Sequence, residues 1–187
     1  MKVLTFSRHF PAYHPKAGQP TYFVEMILDQ IKIDYSKAEY RAQLKDLNPG
    51  KQAHIITDFQ LGLSINICNE LKHHTIRAGH RFKAGDWFSP RVWSGQPYRS
   101  KQIIIAPPIK VKKVWDIEIM IHDGSMQILV PVRHNHWLML PLGEVATNDG
   151  LSIDDFQSWM NVHPKRIKEG EVIFTGQIIC WNDKITY

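Results

Sequence analysis

Between residues 115 and 130 apolar and polar side chains change places at nearly every step. Trp115, Ile117, Ile119 and Ile121 alternate with Asp116, Glu118 and His122; Asp123-Gly124 follows, and Ile128-Leu129-Val130 starts back. A period of two is the period of a strand, and Asp-Gly tolerates the positive φ angles that a two-residue hairpin turn requires. The stretch therefore predicts a β-hairpin with one buried face, which rules out an all-helical fold. Leu63, Ile65 and Ile67 repeat the alternation against Ser64, Asn66 and Cys68. Residues 3–6 read as a first strand and residues 172–181 as a last one.

Helical periodicity is sparser. Phe23, Ile27 and Ile31 recur at spacing four with Met26 beside them, and Pro20 suits the first turn of that helix. A second helix is expected from Ser36 to Leu47, stopped by Asn48-Pro49-Gly50. A third follows Ser152, an N-cap residue, with Asp154 and Asp155 in the dipole-favoured first turn; Ile153, Phe156, Trp159 and Met160 form its stripe. Short strands with peripheral helices point to an α+β fold, mainly β, built as a small barrel with about three helices. One domain is expected over residues 1–187, with 1–60 a helical N-terminal extension packed on a barrel core at 61–187.

A hydrophobic fraction of 43% with eight Phe supplies a core, and 22% charged residues is too few for a disordered chain. The longest apolar run, Ile103 to Ile109, is broken by Pro107-Pro108 and falls far short of the ~20 residues that span a bilayer. The N-terminal apolar run is only Val3-Leu4. The expectation is a soluble, cytoplasmic protein. Cys68 and Cys180 belong to no CxxC pair and read as reduced, packed thiols.

Charge is unevenly spread. Residues 72–113 hold ten Lys or Arg against Asp86 alone, a net +9, while the whole chain carries +5. Phe82, Trp87, Trp93 and Tyr98 lie among these cations. Phosphates and flat bases suit that mixture. The loop expected from Arg91 to Gln102 concentrates it: Arg offers bidentate phosphate contacts, and Trp93 or Tyr98 could stack a base. A solvated surface loop whose aromatics cover the fold explains the same residues. Gly85-Asp86 reads as a turn. Lys110, Lys112 and Lys113 suit a soluble edge strand.

Lys72-x-x-Thr75-x-Arg77 also reads two ways. It is a polar strand end, or it is a hydroxyl nucleophile with a lysine base. In a regular strand Lys72 would face away from Thr75 and Arg77, unless irregular backbone at His73-His74 intervenes. A lysine base must fall from ~10.4 to near ~8, which takes roughly 3 kcal/mol. Burial and the nearby Arg77 and Arg81 act in that direction.

The run Lys72-His73-His74-Thr75-Ile76-Arg77-Ala78-Gly79, followed by Arg81-Phe82-Lys83-Ala84-Gly85-Asp86, resembles the activating-signal-cointegrator-homology (ASCH) family. Asn148-Asp149-Gly150-Leu151-Ser152 before Phe156 and Trp159, and the strand Phe174 to Trp181, are similar to it too. The resemblance implies a PUA-like β-barrel and a cleft that binds RNA or a nucleotide. Small bacterial members hydrolyse 4-acetylcytidine, and they resemble this chain at Lys72 and Thr75. Their third group is a Glu, matched in this chain by Asp149, one methylene shorter.

The expected function is binding of RNA, single-stranded nucleic acid or a modified nucleoside in a cationic cleft. Lys72, Thr75 and Arg77 would line its floor, with Arg81, Lys83, Arg91, Trp93, Tyr98, Arg99 and Lys101 at its rim. The alternative is an amidohydrolase acting on N-acylated cytidine, with Lys72, Thr75 and Asp149 catalytic. A module that meets an acidic protein partner is the third. Ten histidines include His73-His74 and His134-x-His136, but no HExxH motif, P-loop or Rossmann glycine pattern occurs, so neither a metal nor a cofactor is expected.

Overall fold

The computed structural model describes residues 1–31, 71–132, 136–160 and 172–187. The helix expected at 36–47 and the alternation at 63–68 lie outside these residues. Within them the fold is mixed α+β and mainly β. The alternating stretch becomes β6 (Lys113–His122) and β7 (Ser125–Val132). His122 pairs with Ser125, so the turn is Asp123-Gly124 alone, with φ of 50° and 69°. Those values are what a type I′ hairpin needs. Ile119 and Ile128 face each other across the ladder, both fully buried.

β9 (Val172–Cys180) lies between β6 and β2 (His74–Ala78), antiparallel to both. The sheet runs β2-β9-β6-β7-β8, with β8 at His136–Leu140. Gly176 sits opposite both Ala78 and Ile117, where a Cβ would strike the Arg77 carbonyl and the Phe174 ring. Only glycine fits there.

A second sheet contains β1 (Lys2–Thr5), β3 (Trp87–Trp93), β4 (Gln102–Ile104) and β5 (Ile109–Lys110). β1 runs parallel to β3, pairing Lys2 with Phe88 and Thr5 with Arg91. This sheet corrects the expected Arg91-to-Gln102 loop. Arg91, Val92 and Trp93 finish β3, pairing with Ile104, Ile103 and Gln102, so residues 94–101 alone connect the strands. Val92 is fully buried and Ile103 nearly so, and the ladder between them draws the flanking polar residues into the strand. A lone Val among Arg, Trp and Ser carries no readable alternation. Phe6, Phe82, Phe88 and Trp181 meet in edge-on and tilted ring contacts in the core. Among the described residues the two sheets are not joined into a closed barrel.

Three helices are described. α1 (Phe23–Gln30) buries Phe23, Val24, Met26, Ile27 and Leu28. Pro20 is not in its first turn: it bridges to His9, and the helix starts after Tyr22 at φ 57°. α2 (Leu142–Asn148) went unforeseen, because Gly143 and Thr147 are weak helix formers and the element spans only seven residues. Buried Val145 and Ala146 stabilise it. α3 (Ile153–Met160) begins where Ser152 predicts, with the Asp155 amide donating to Ser152 Oγ at 3.1 Å. Its Trp159 packs against Phe10 and Phe23.

No helix among the described residues is long and apolar enough to cross a membrane. Cys180 is buried with its Sγ directed at the Asn182 carbonyl, and burial pushes the thiol up to about 11. Packing accounts for it. Cys68 lies outside the described residues.

Candidate functional site

β2 begins at His74, so Lys72 precedes the strand and escapes its alternation. The His73 amide donates to the Asn148 carbonyl at 2.8 Å, and the Trp181 amide donates to the His73 carbonyl at 3.1 Å. These bonds clamp His73 between the end of α2 and the chain leaving β9. Lys72 then turns inward and is 1% exposed. Its Nζ donates to Asp149 Oδ1 at 2.6 Å and to the Asp149 carbonyl, and lies 4.0 Å from the centroid of the Phe23 ring.

The end of α2 explains why Asp149 is there. The Leu151 amide bonds back to the Ala146 carbonyl and the Gly150 amide to that of Thr147, with Gly150 at φ 76°. This is a Schellman stop, with Asp149 at the C-cap and glycine at the left-handed position. Asn148-Asp149-Gly150-Leu151-Ser152 is thus one helix stop followed directly by the next helix start. A Cβ on Gly150 would lie 2.6 Å from Met26 Sδ, so a side chain there would also have to displace the Met26 thioether. The Lys72 ammonium meets a carboxylate, the negative end of a helix and an aromatic face together.

Burial nevertheless outweighs these attractions. It pushes the Lys72 ammonium down to about 8, against the pull of Asp149, with Arg77 adding a smaller push. For Asp149, burial works upward, but Lys72 and His74 together hold the carboxyl below its ordinary value. Asp149 is therefore an anion at neutral pH, and Lys72 is a lysine poised to lose its proton. His74 is fully buried, and burial pushes its imidazole down, so the ring is neutral. Its Nδ1 is 3.6 Å from Asp149 Oδ1, and its Nε2 is 2.9 Å from the Tyr187 hydroxyl, which also accepts from Asn148 Nδ2 at 2.9 Å.

Of the expected catalytic trio, Lys72 and Asp149 meet directly. Thr75 is buried on β2 opposite Ile179, and among the described residues no hydrogen bond joins it to Lys72. Arg77 Nη2 donates to the Thr5 carbonyl at 2.6 Å, and its guanidinium lies 5.6 Å from the Phe6 ring. It also sits within electrostatic reach of Asp149, Tyr98 and Arg81.

The expected rim separates into parts. Arg81 and Lys83 are exposed beside the turn that Asp86 pins, its Oδ2 accepting from the Lys83 amide at 2.7 Å and from Lys2 Nζ at 2.5 Å. That gives Gly85-Asp86 the structural role expected of it. Arg91 is held within its own sheet, donating to Ser89 Oγ and Gln102 Oε1. Trp93 and Tyr98 form a tilted ring pair at 5.4 Å, with Arg99 and Lys101 exposed on the same connection. Tyr98 is 88% exposed and left-handed, at φ 63°. The +9 stripe is therefore not one surface. Lys72, Arg77 and Lys113, which donates to the Ile185 carbonyl at 2.6 Å, bond inside the protein. His74 and Asn148 lie inside the motifs that carry the resemblance but had no role assigned there, and no local signal marks Tyr187 or Phe23 as site residues.

Comparisons with family models, curated proteins and solved structures gave no match for this chain.

Proposed function

We propose that this protein binds an RNA, a single-stranded nucleic acid or a modified nucleoside, with the β3–β4 connection as its contact surface. The two sheets are taken as halves of a PUA-like barrel of the ASCH type. One observation carries the reading: Tyr98 is a large aromatic held left-handed and almost wholly in solvent, paired with Trp93 and flanked by Arg99 and Lys101. An exposed aromatic in a strained backbone gains the fold little, whereas base stacking on it is worth about 1–3 kcal/mol. Fluorescence anisotropy with labelled single-stranded RNA should show affinity falling with salt, by about 0.7 in log K per log unit of salt for each phosphate contact. Arg99→Ala should weaken binding for most sequences alike. Salt-independent affinity, or none for any oligonucleotide, refutes the proposal.

A second reading is favoured by Lys72 itself. Burial brings its pKa down to about 8, so the neutral, basic form of the lysine is within reach near neutral pH. In an amidohydrolase of N-acylated cytidine, Thr75 Oγ1 would attack the acyl carbon while neutral Lys72 takes the hydroxyl proton. The C–N bond then breaks, the amine leaves with a proton, and water hydrolyses the acyl-threonine to the free acid. Acetate release from 4-acetylcytidine should rise with pH through about 8 and be abolished by Thr75→Ala and by Lys72→Ala. Turnover unchanged in either variant removes that residue from the mechanism.

A further inference from the structure

We propose that His74 is a positioning residue, an imidazole locked in one tautomer that stands ready to hold Asp149 when Lys72 lets go. The assignment rests on the reading that Lys72 and Asp149 act as a functional pair. It follows from which atoms can donate. The Asn148 side-chain amide nitrogen donates only, so the Tyr187 oxygen accepts from it at 2.9 Å. With its oxygen engaged by Asn148, the Tyr187 hydroxyl has its hydrogen to give to His74 Nε2 at 2.9 Å, and in the proposed arrangement Nε2 accepts it. A neutral imidazole carries a single N–H, so that hydrogen sits on Nδ1, the atom facing Asp149.

Nδ1 is buried and has no hydrogen-bond partner, because Asp149 Oδ1, at 3.6 Å, is drawn toward Lys72 at 2.6 Å. The carboxylate therefore has two donors at unequal distances, one charged and engaged, the other neutral and waiting. A shift of about 0.6 Å toward His74 would reach hydrogen-bond distance. When Lys72 loses its proton or turns to a ligand, Asp149 keeps a partner without leaving its place. A histidine that merely filled space between Tyr187 and β9 would need neither this tautomer nor this response.

Long-range ¹H–¹⁵N spectra of the full-length labelled protein at pH 7 test this, with the His74 signals identified by their loss in His74→Gln. The expected pattern is protonated Nδ1 and bare Nε2. Tyr187→Phe removes the lock and should bring in the Nε2-protonated form. In Lys72→Met the Nδ1 proton should move downfield as Asp149 comes to it. An Nε2-protonated ring in the unaltered protein overturns the proposal. So does a tautomer indifferent to Tyr187→Phe, or an Nδ1 proton unmoved in Lys72→Met. The unaltered protein alone is decisive if a variant fails to fold. None of these spectra needs a ligand or turnover, so their failure is distinct from a failure to bind nucleic acid or release acetate.

Discussion

Replacing Lys72 by Met removes a buried ammonium and leaves its carboxylate behind. In the native protein the fall of Lys72 from 10.5 to about 8 means that the charged form is disfavoured by about 3 kcal/mol. Between those two pH values the unfolded chain still holds a proton that the folded chain has lost. Native stability therefore gains from this group as pH rises through that window. Asp149 works the other way: its lowered pKa stabilises the fold above about 3.8, and that contribution is lost as pH falls through the folded value. Without Lys72, burial, already the largest single influence on Asp149, is opposed only by the neutral His74 N–H, and the carboxyl should rise above the unfolded value. The variant then gains stability on acidification, because the folded state takes up the proton first. Stranding one partner of a buried pair costs about 3–5 kcal/mol at pH 7. For a chain of this size that is a Tm lower by about 6–20 °C. Calorimetric melts at pH 7 and pH 4 should show this deficit shrinking in acid, and melts up to pH 10 should lack the alkaline gain of the parent. Lys72→Met/Asp149→Leu, which removes both charges, should recover most of the loss. A Lys72→Met protein as stable as its parent at pH 7, or a deficit independent of pH, would refute the electrostatic account.

Gly150→Ala should lower stability more than Gly124→Ala. Both glycines have positive φ, worth about 1–2 kcal/mol, but only at Gly150 would the new Cβ meet Met26; equal losses in urea titrations would contradict the crowding. Tyr98→Ala should weaken single-stranded RNA binding by about 5- to 150-fold while leaving Tm within a degree or two, because the ring lies in solvent rather than packed in a core. A falling Tm with unchanged affinity would give Tyr98 a structural role instead. In a Cys68→Ser background, iodoacetamide at pH 7.4 should label native Cys180 at least a hundredfold more slowly than the urea-unfolded chain, since its thiol is buried and pushed up to about 11. Comparable rates would mean that β9 opens readily.

Local periodicity was enough for the β6–β7 hairpin, α1 and α3, because each repeats its own rule within about ten residues. Ile117 and Ile119 alternate, Phe23 and Ile27 share a helical face, and Ser152 caps α3. It was not enough for the second half of β3, where Val92 is drawn into a ladder by Ile103 from beyond a connection. Nor was it enough for α2, whose residues prefer a helix only once Val145 and Ala146 have a core to enter. The site divides in the same way. The residue types are plain in one dimension: a Lys and a Thr three apart, an Asp before Gly150, and aromatics among cations. Folding takes Lys72 out of the strand pattern to meet Asp149, 77 positions away, while Thr75 bonds to neither. Folding alone places Phe23 under the ammonium and Tyr187 against His74. The reason is physical: a pKa, a tautomer and a buried ion pair depend on what surrounds a group in space, and those surroundings come from segments that no local pattern connects.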